Sequence, residues 1–162
     1  NRGILMQQAL MEPEPITPKP TAFLAAGFLF GPSAWIREAP YDPKLYFHGE
    51  ETTLAARLWT HGWDFFGPTE PIVWHYYTTK VTRALHWSDN REWDRMDAIS
   101  LARVRHLLQM EPEPGDEPID LTGFHLGTTR SFERYQSMAG VNFRARTIAP
   151  HALAGEFEPV AA

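Results

Sequence analysis

Phe47-His48-Gly49-Glu50-Glu51, followed further along by Trp74-His75-Tyr76-Tyr77, is the stretch on which the fold turns. Downstream of Gly49, the run from Thr52 to His61 places Leu54, Leu58 and His61 at i, i+4 and i+7, with Ala55 and Trp59 beside them. That spacing predicts a helix with an apolar face, and Gly62 supplies the left-handed residue that stops it. Glu50 and Glu51 then fall in the first turn, where the helix dipole favours negative charge. Such a pair is ordinarily no more than favourable helix electrostatics. Here it follows a glycine that permits close approach of a ligand, and aromatic residues flank it.

Working outward on the C-terminal side, Trp63 to Gly67 and Pro71 to Tyr77 read as two short strands connected by Pro68-Thr69-Glu70. His75 is therefore expected at a strand end, where an α/β sheet presents functional groups. On the N-terminal side, the near-continuous apolar run Ala22 to Phe30, bounded by Pro20 and Gly31-Pro32, predicts a strand buried on both faces. Gly27 inside it suggests the close approach of another backbone or of a ligand. Ser33 is expected to cap a short helix, Ala34 to Glu38, that Pro40 ends. Tyr41-Asp42-Pro43 reads as a turn.

Residues 1–20 are proline-rich and predict an extended lead-in with at most a helical turn near Leu5 to Leu10. Met11 to Pro15 recurs as Met110 to Pro114, but the flanks differ, so the pair reads as two stiff linkers and not as a repeat. Thr78 to Trp87 is a polar, basic loop carrying Lys80, Arg83 and His86. A long helix is predicted over Ser88 to Gln109, capped by Ser88 or Asp89. Its stripe would be Trp93, Met96, Ile99 or Ser100, Val104, and Leu107 or Leu108. Glu111 to Pro118 is an acidic linker and Leu121 to Thr129 a loop. Arg130 to Ala139 reads as a helix closed by Gly140, and Val141-Asn142-Phe143 as an edge strand. The organisation expected is a lead-in over 1–20 following a missing N-terminal half, a domain over 21–143 (core 21–77, helical support 88–143), and a tail over 144–162.

Composition narrows the classes. With 162 residues, 43% hydrophobic and 22% charged, the chain is long and apolar enough to bury a core. A net charge of -5 argues against general affinity for nucleic acid or anionic membrane. The absence of cysteine excludes disulfides and thiolate zinc sites and suits a reducing compartment without proving one. No apolar run approaches the ~20 residues of a membrane span. Asn1-Arg2-Gly3 resembles neither an initiator nor a signal peptide, which suggests a piece of a longer protein. His48, Glu51, His61 and His75 are potential zinc ligands, yet there is no His-Glu-x-x-His and the spacing fits no metal motif. No Gly-x-Ser-x-Gly elbow is present.

Taken in order, Ala25 to Ser33, Tyr41-Asp42-Pro43, Phe47 to Glu51, Leu54 to Asp64 and Pro71 to His75 resemble the C-terminal half of a GT-A-fold glycosyltransferase. The nearest resemblance is to GlcNAc-transferases similar to the cytoplasmic enzymes that modify hydroxyproline on a polypeptide. The order is more distantly similar to mucin-type polypeptide GalNAc-transferases, whose Trp-Gly-Gly-Glu-Asn stretch corresponds to Phe47 to Glu51. His86-Trp87, Gly123 to Ser131, Tyr135 and Gly140 to Phe143 resemble the family's tail.

The resemblance implies an α/β fold, a mixed sheet with packed helices. It also implies transfer of GlcNAc from UDP-GlcNAc to a protein or glycan hydroxyl with retention. His75 would be a ligand of a divalent Mn or Mg ion, with the remaining ligands outside this chain. Glu50 and Glu51 are the expected catalytic pair: Glu50 would hold donor-sugar hydroxyls or orient the acceptor, and Glu51 occupies the Asn position of the distant relatives. Lys80, Arg83 and His86 would face the diphosphate, while Gly27, His48, Gly49, Trp74 and Trp87 complete the expected donor- and acceptor-binding positions. The family's Asp-x-Asp-type motif is absent, so the chain alone is expected to be inactive. The competing reading is a non-catalytic carbohydrate-binding or structural domain derived from such an enzyme.

Overall fold

A computed structural model describes residues 3–8, 15–74 and 85–157. In chain order the elements are β1 (Lys19–Thr21), α1 (Ala34–Glu38), α2 (Glu50–Thr60), β2 (Phe65–Gly67), α3 (His86–Asp89), α4 (Trp93–Leu107), α5 (Phe132–Ala139), β3 (Val141–Asn142), β4 (Thr147–Ile148) and α6 (Pro150–Leu153). In place of the expected mixed sheet, the described residues form two separate antiparallel pairs. β1 pairs with β2 through Pro20 and Phe66, and β3 pairs with β4 through Val141 and Ile148. Helices with small sheets remain an α/β arrangement.

Helix α2 is the axis of the core. The sequence predicts one apolar face, yet every residue from Thr52 to Thr60 is buried, because other segments pack around it on all sides. Its threonines tolerate this by bonding to the helix itself: Thr53 Oγ1 donates to the Gly49 and Glu50 carbonyls, and Thr60 Oγ1 to those of Ala56 and Arg57. Against Trp59 stands an aromatic stack, with Tyr135 at 5.7 Å from it and Phe132 and Phe143 stacked at 5.7 Å from each other. The Tyr135 hydroxyl, fully buried, donates to the Ala22 carbonyl at 3.0 Å. Burial raises the pKa of this phenol, so it stays a donor.

Several expectations are corrected. Ala22 to Phe30 is not a buried strand: Phe28 N–H bonds to the Ala25 carbonyl in a turn, Ala26 N–H goes to a Glu51 carboxylate, and Phe30 is 93% exposed. With the Ala26 and Phe28 N–H groups claimed by a side chain and a turn, the segment joins no ladder among the described residues. Residues 71–74 form no strand, and 75–77 lie outside the described residues. The single helix over 88–109 is two, α3 and α4. The buried stripe of α4 runs through Asp97, Ser100, Val104 and Leu107, while Met96 and Ile99 are exposed. Polar residues take the inner face because they have partners there: Asp97 bonds to His48, and Ser100 Oγ accepts from Tyr46 N–H. The tail also carries structure, with β4 and α6 folded back so that Ala149 N–H meets the Gly140 carbonyl at 2.7 Å. Residues 5–8 form no helical turn, and 9–10 are outside the described residues.

No helix among the described residues is long and apolar enough to cross a membrane.

Candidate functional site

Gly49 begins the site because it begins α2. It adopts φ +83°, and a Cβ there would stand 2.5 Å from Val104 Cγ2. Only glycine meets both demands, so its missing side chain serves the packing of α2 on α4. A Cβ on Gly27 would meet nothing within 4 Å. As an N-cap, Gly49 has no side chain to offer the first-turn N–H groups. Gln7 supplies part of that need from outside. With its amide oriented to satisfy both neighbours, it accepts from Thr52 N–H at 3.2 Å and donates to the Leu24 carbonyl at 3.0 Å.

The two carboxylates of this turn differ. Glu51 Oε1 accepts from Ala26 N–H at 2.7 Å and so ties the Ala22 to Phe30 segment to the helix start. Glu50 Oε2 is buried with no hydrogen-bond partner among the described residues. Desolvation, and secondarily the charge of Glu51, raises the Glu50 pKa to about 7. Tyr41 lies in the same field: desolvation, then Glu50 and Glu51, raise its phenol to about 12. A carboxyl that is divided between its two protonation states near neutrality, and that keeps an unused oxygen, is suited to exchange hydrogen bonds with a hydroxyl-rich ligand.

His48 is held by Asp97, Nδ1 to Oδ1 at 2.9 Å, and its carbonyl accepts from Ser100 Oγ. Phe47 meets the His48 ring at 4.9 Å and the Trp87 ring edge-on at 6.3 Å. Phe47 and Trp87 are 49% and 42% exposed, forming a half-open aromatic pair. The structure thus brings Phe47, His48 and Trp87 together just ahead of the α2 start that carries Glu50 and Glu51, and sets Gly27 beside the Ala26 contact to Glu51. Trp74 is exposed in irregular chain, and His86 opens α3. His75, Lys80 and Arg83 lie outside the described residues.

Sequence reasoning gave Tyr41 only a place in a turn and did not single out Arg57 or Arg103. Arg57 and Arg103 are each 3% exposed, and their guanidiniums lie 5.4 and 5.5 Å from the Phe124 ring centre. Arg57 reads as an ordinary polar helix residue, and nothing local signals its burial. A cavity of about 490 Å³ lies elsewhere, between the end of α4 and residues 110–119. Its Arg105 is committed to Asp116 and its Arg144 to Glu111, so geometry favours the Glu50 site despite the cavity's size. Among the described residues no three metal-ligating side chains cluster. His61, a candidate zinc ligand by type, uses Nδ1 on the Arg57 carbonyl at 2.7 Å.

A family model described as Glycosyltransferase (GlcNAc) matches residues 1–145. No curated protein and no solved structure matches the chain. The match covers most of the sequence, including the α2 site and the aromatic stack, and makes the protein a glycosyltransferase by class. The chain belongs to the GlcNAc glycosyltransferase family.

Proposed function

We propose that this chain forms the sugar- and acceptor-facing part of a cytoplasmic GT-A-fold enzyme that transfers GlcNAc from UDP-GlcNAc to a protein or glycan hydroxyl with retention. The observation that carries this reading is the buried Glu50 oxygen at the start of α2, without a hydrogen-bond partner among the described residues, within a chain of the GlcNAc glycosyltransferase family. Sugar transfer breaks the bond between the anomeric carbon and the diphosphate, so positive charge develops on the ring and negative charge on the leaving group. Carboxylates belong on the ring side, and Glu50 and Glu51 stand there in this reading. Glu51 is fixed by Ala26, which leaves Glu50 to bind sugar or acceptor hydroxyls. Phe47 and Trp87 offer a face for the apolar side of a ring. Lys80, Arg83 and His86 would meet the diphosphate.

A hard divalent cation takes about six ligands, mostly oxygens. The described residues do not supply such a set, since Glu51 and His48 are already engaged and no cluster of three occurs among them. Dependence on Mn or Mg therefore rests on the resemblance through His75 alone.

The test uses the full-length protein. Glu50→Gln is expected to lower kcat/KM for GlcNAc transfer about a hundredfold, and His75→Ala to abolish the transfer that Mn restores after chelation. Calorimetric titration with UDP-GlcNAc, with and without Mn, should show affinity linked to the metal. Undiminished turnover in Glu50→Gln would sink the assignment of Glu50, and metal-independent transfer would sink the role of His75.

A further inference from the structure

We propose that the protein binds a chloride ion in its interior, between α2 and α4, where Arg57 and Arg103 meet around a single buried carboxylate. A cavity of about 10 Å³, room for one water-sized particle, lies there. Its walls include Asp42, Arg57 and Arg103 and the apolar side chains of Leu45, Leu107 and Leu121. Arg103 commits Nε to the Asp42 carboxylate and Nη1 to the Asp120 carbonyl at 2.7 Å. Its Nη2 is buried with no hydrogen-bond partner among the described residues.

The charges around the cavity do not balance. Arg57 donates to the Pro40 and His125 carbonyls at 2.6 and 3.4 Å, and both guanidiniums lie against the Phe124 ring. Carbonyls and a ring face satisfy N–H groups but carry no net counter-charge. Asp42 is the one carboxylate lining the cavity among the described residues, and both its oxygens are engaged, Oδ1 with Lys44 N–H and Oδ2 with Arg103. The next charges outward, Lys44 and Asp120, are exposed and of opposite sign, and the Asp120 carboxylate is turned to Thr122. Two buried cations therefore face one buried anion, and an uncompensated charge in the interior is costly. Burial pushes the Arg57 pKa down; Asp42 opposes that shift and Arg103 adds to it. A monovalent anion restores neutrality and accepts from Arg103 Nη2. Chloride is only slightly larger than water, whereas phosphate and carboxylates are too large for this space. A water would bring two hydrogens of its own to walls whose carboxylate is already engaged. With the ion bound, residues 40–45 and 120–125 are clamped against α2 and α4.

The experiment follows urea unfolding of the full-length protein while sodium gluconate is replaced stepwise by sodium chloride or bromide at constant ionic strength. Gluconate does not fit the cavity. Chloride at ten times its dissociation constant should shift the folding equilibrium about tenfold toward the native state. Bromide should act likewise, and crystals grown in bromide should show its anomalous signal against Arg103 Nη2. Arg57→Met removes one of the two cations and should abolish the halide dependence. Equal urea midpoints in chloride and gluconate, a halide dependence that persists in Arg57→Met, or water in place of bromide at Nη2 would each overturn the proposal. Should Arg57→Met fail to fold, the titration of the unaltered protein and the bromide crystals decide the matter.

Discussion

At the C-terminal end of α2 the protein uses the helix's polar groups for itself, whereas at the N-terminal end it leaves one carboxyl oxygen over. Thr60 shows the first case. Its carbonyl accepts from Thr129 N–H and Arg130 N–H, and its hydroxyl from Gly127 N–H at 2.7 Å. Arg130 then covers the Trp59 ring at 4.8 Å and pairs with Asp64. At the other end the cap residue is a glycine, Gln7 reaches in from a distant segment, and Glu50 Oε2 has no partner among the described residues. An end whose groups are all satisfied adds stability. An end with a buried group unsatisfied costs some, and such a cost is commonly borne where a ligand binds.

The largest effect expected from this contrast is at Gly127. A Cβ there would lie 2.4 Å from both the Thr60 carbonyl carbon and the His61 nitrogen, backbone atoms that cannot move aside. Gly127→Ala should cost about 3 kcal/mol or more in denaturant unfolding; a cost under about 1 kcal/mol would mean that the C-terminal end is loosely packed after all. Thr60→Val keeps the shape but strands the Gly127 N–H, and should cost about 2 kcal/mol with substrate KM unchanged.

Glu50→Gln should act in the opposite direction on stability. Because the folded pKa of about 7 lies above the ordinary 4.5, the folded state holds this proton more tightly. Stability from the group is complete below about pH 4.5 and is lost as pH rises through 7. The variant should therefore gain on the wild type as pH rises, by about 1 kcal/mol at pH 8 after allowance for solvent screening. A flat difference in melting temperature between pH 5 and pH 8 would contradict a ligand-ready carboxyl at this end. The smallest effect is at Gly27, where an added Cβ meets nothing. Gly27→Ala should change stability by less than about 0.5 kcal/mol, and a large loss of activity with the fold intact would place a ligand against that position.

Much of α2 and α5 is legible locally. Gly49, the two carboxylates and Gly62 bracket α2, and Gly140 in its left-handed conformation ends α5. The acidic pair at the helix start is likewise visible in the sequence. What misleads is apolar composition without a partner: Ala22 to Phe30 has the residues of a buried strand, but among the described residues no strand pairs with it. The α4 stripe misleads in the other sense, since Asp97 and Ser100 are buried for hydrogen bonds to the Tyr46 to His48 segment, a long-range fact that hydrophobic periodicity does not record.

The sequence by itself determined the class of protein, the position of its central helix and the pair of carboxylates at that helix's start, because caps, turns and motif order are properties of neighbouring residues. Only the tertiary structure decided that a Glu51 oxygen is occupied while Glu50 Oε2 has no partner among the described residues, and that two buried arginines anchor Pro40 and Asp42. The reason is physical: desolvation and hydrogen-bond partnership depend on which distant segments close over a side chain, and two adjacent glutamates are alike until one of them meets Ala26.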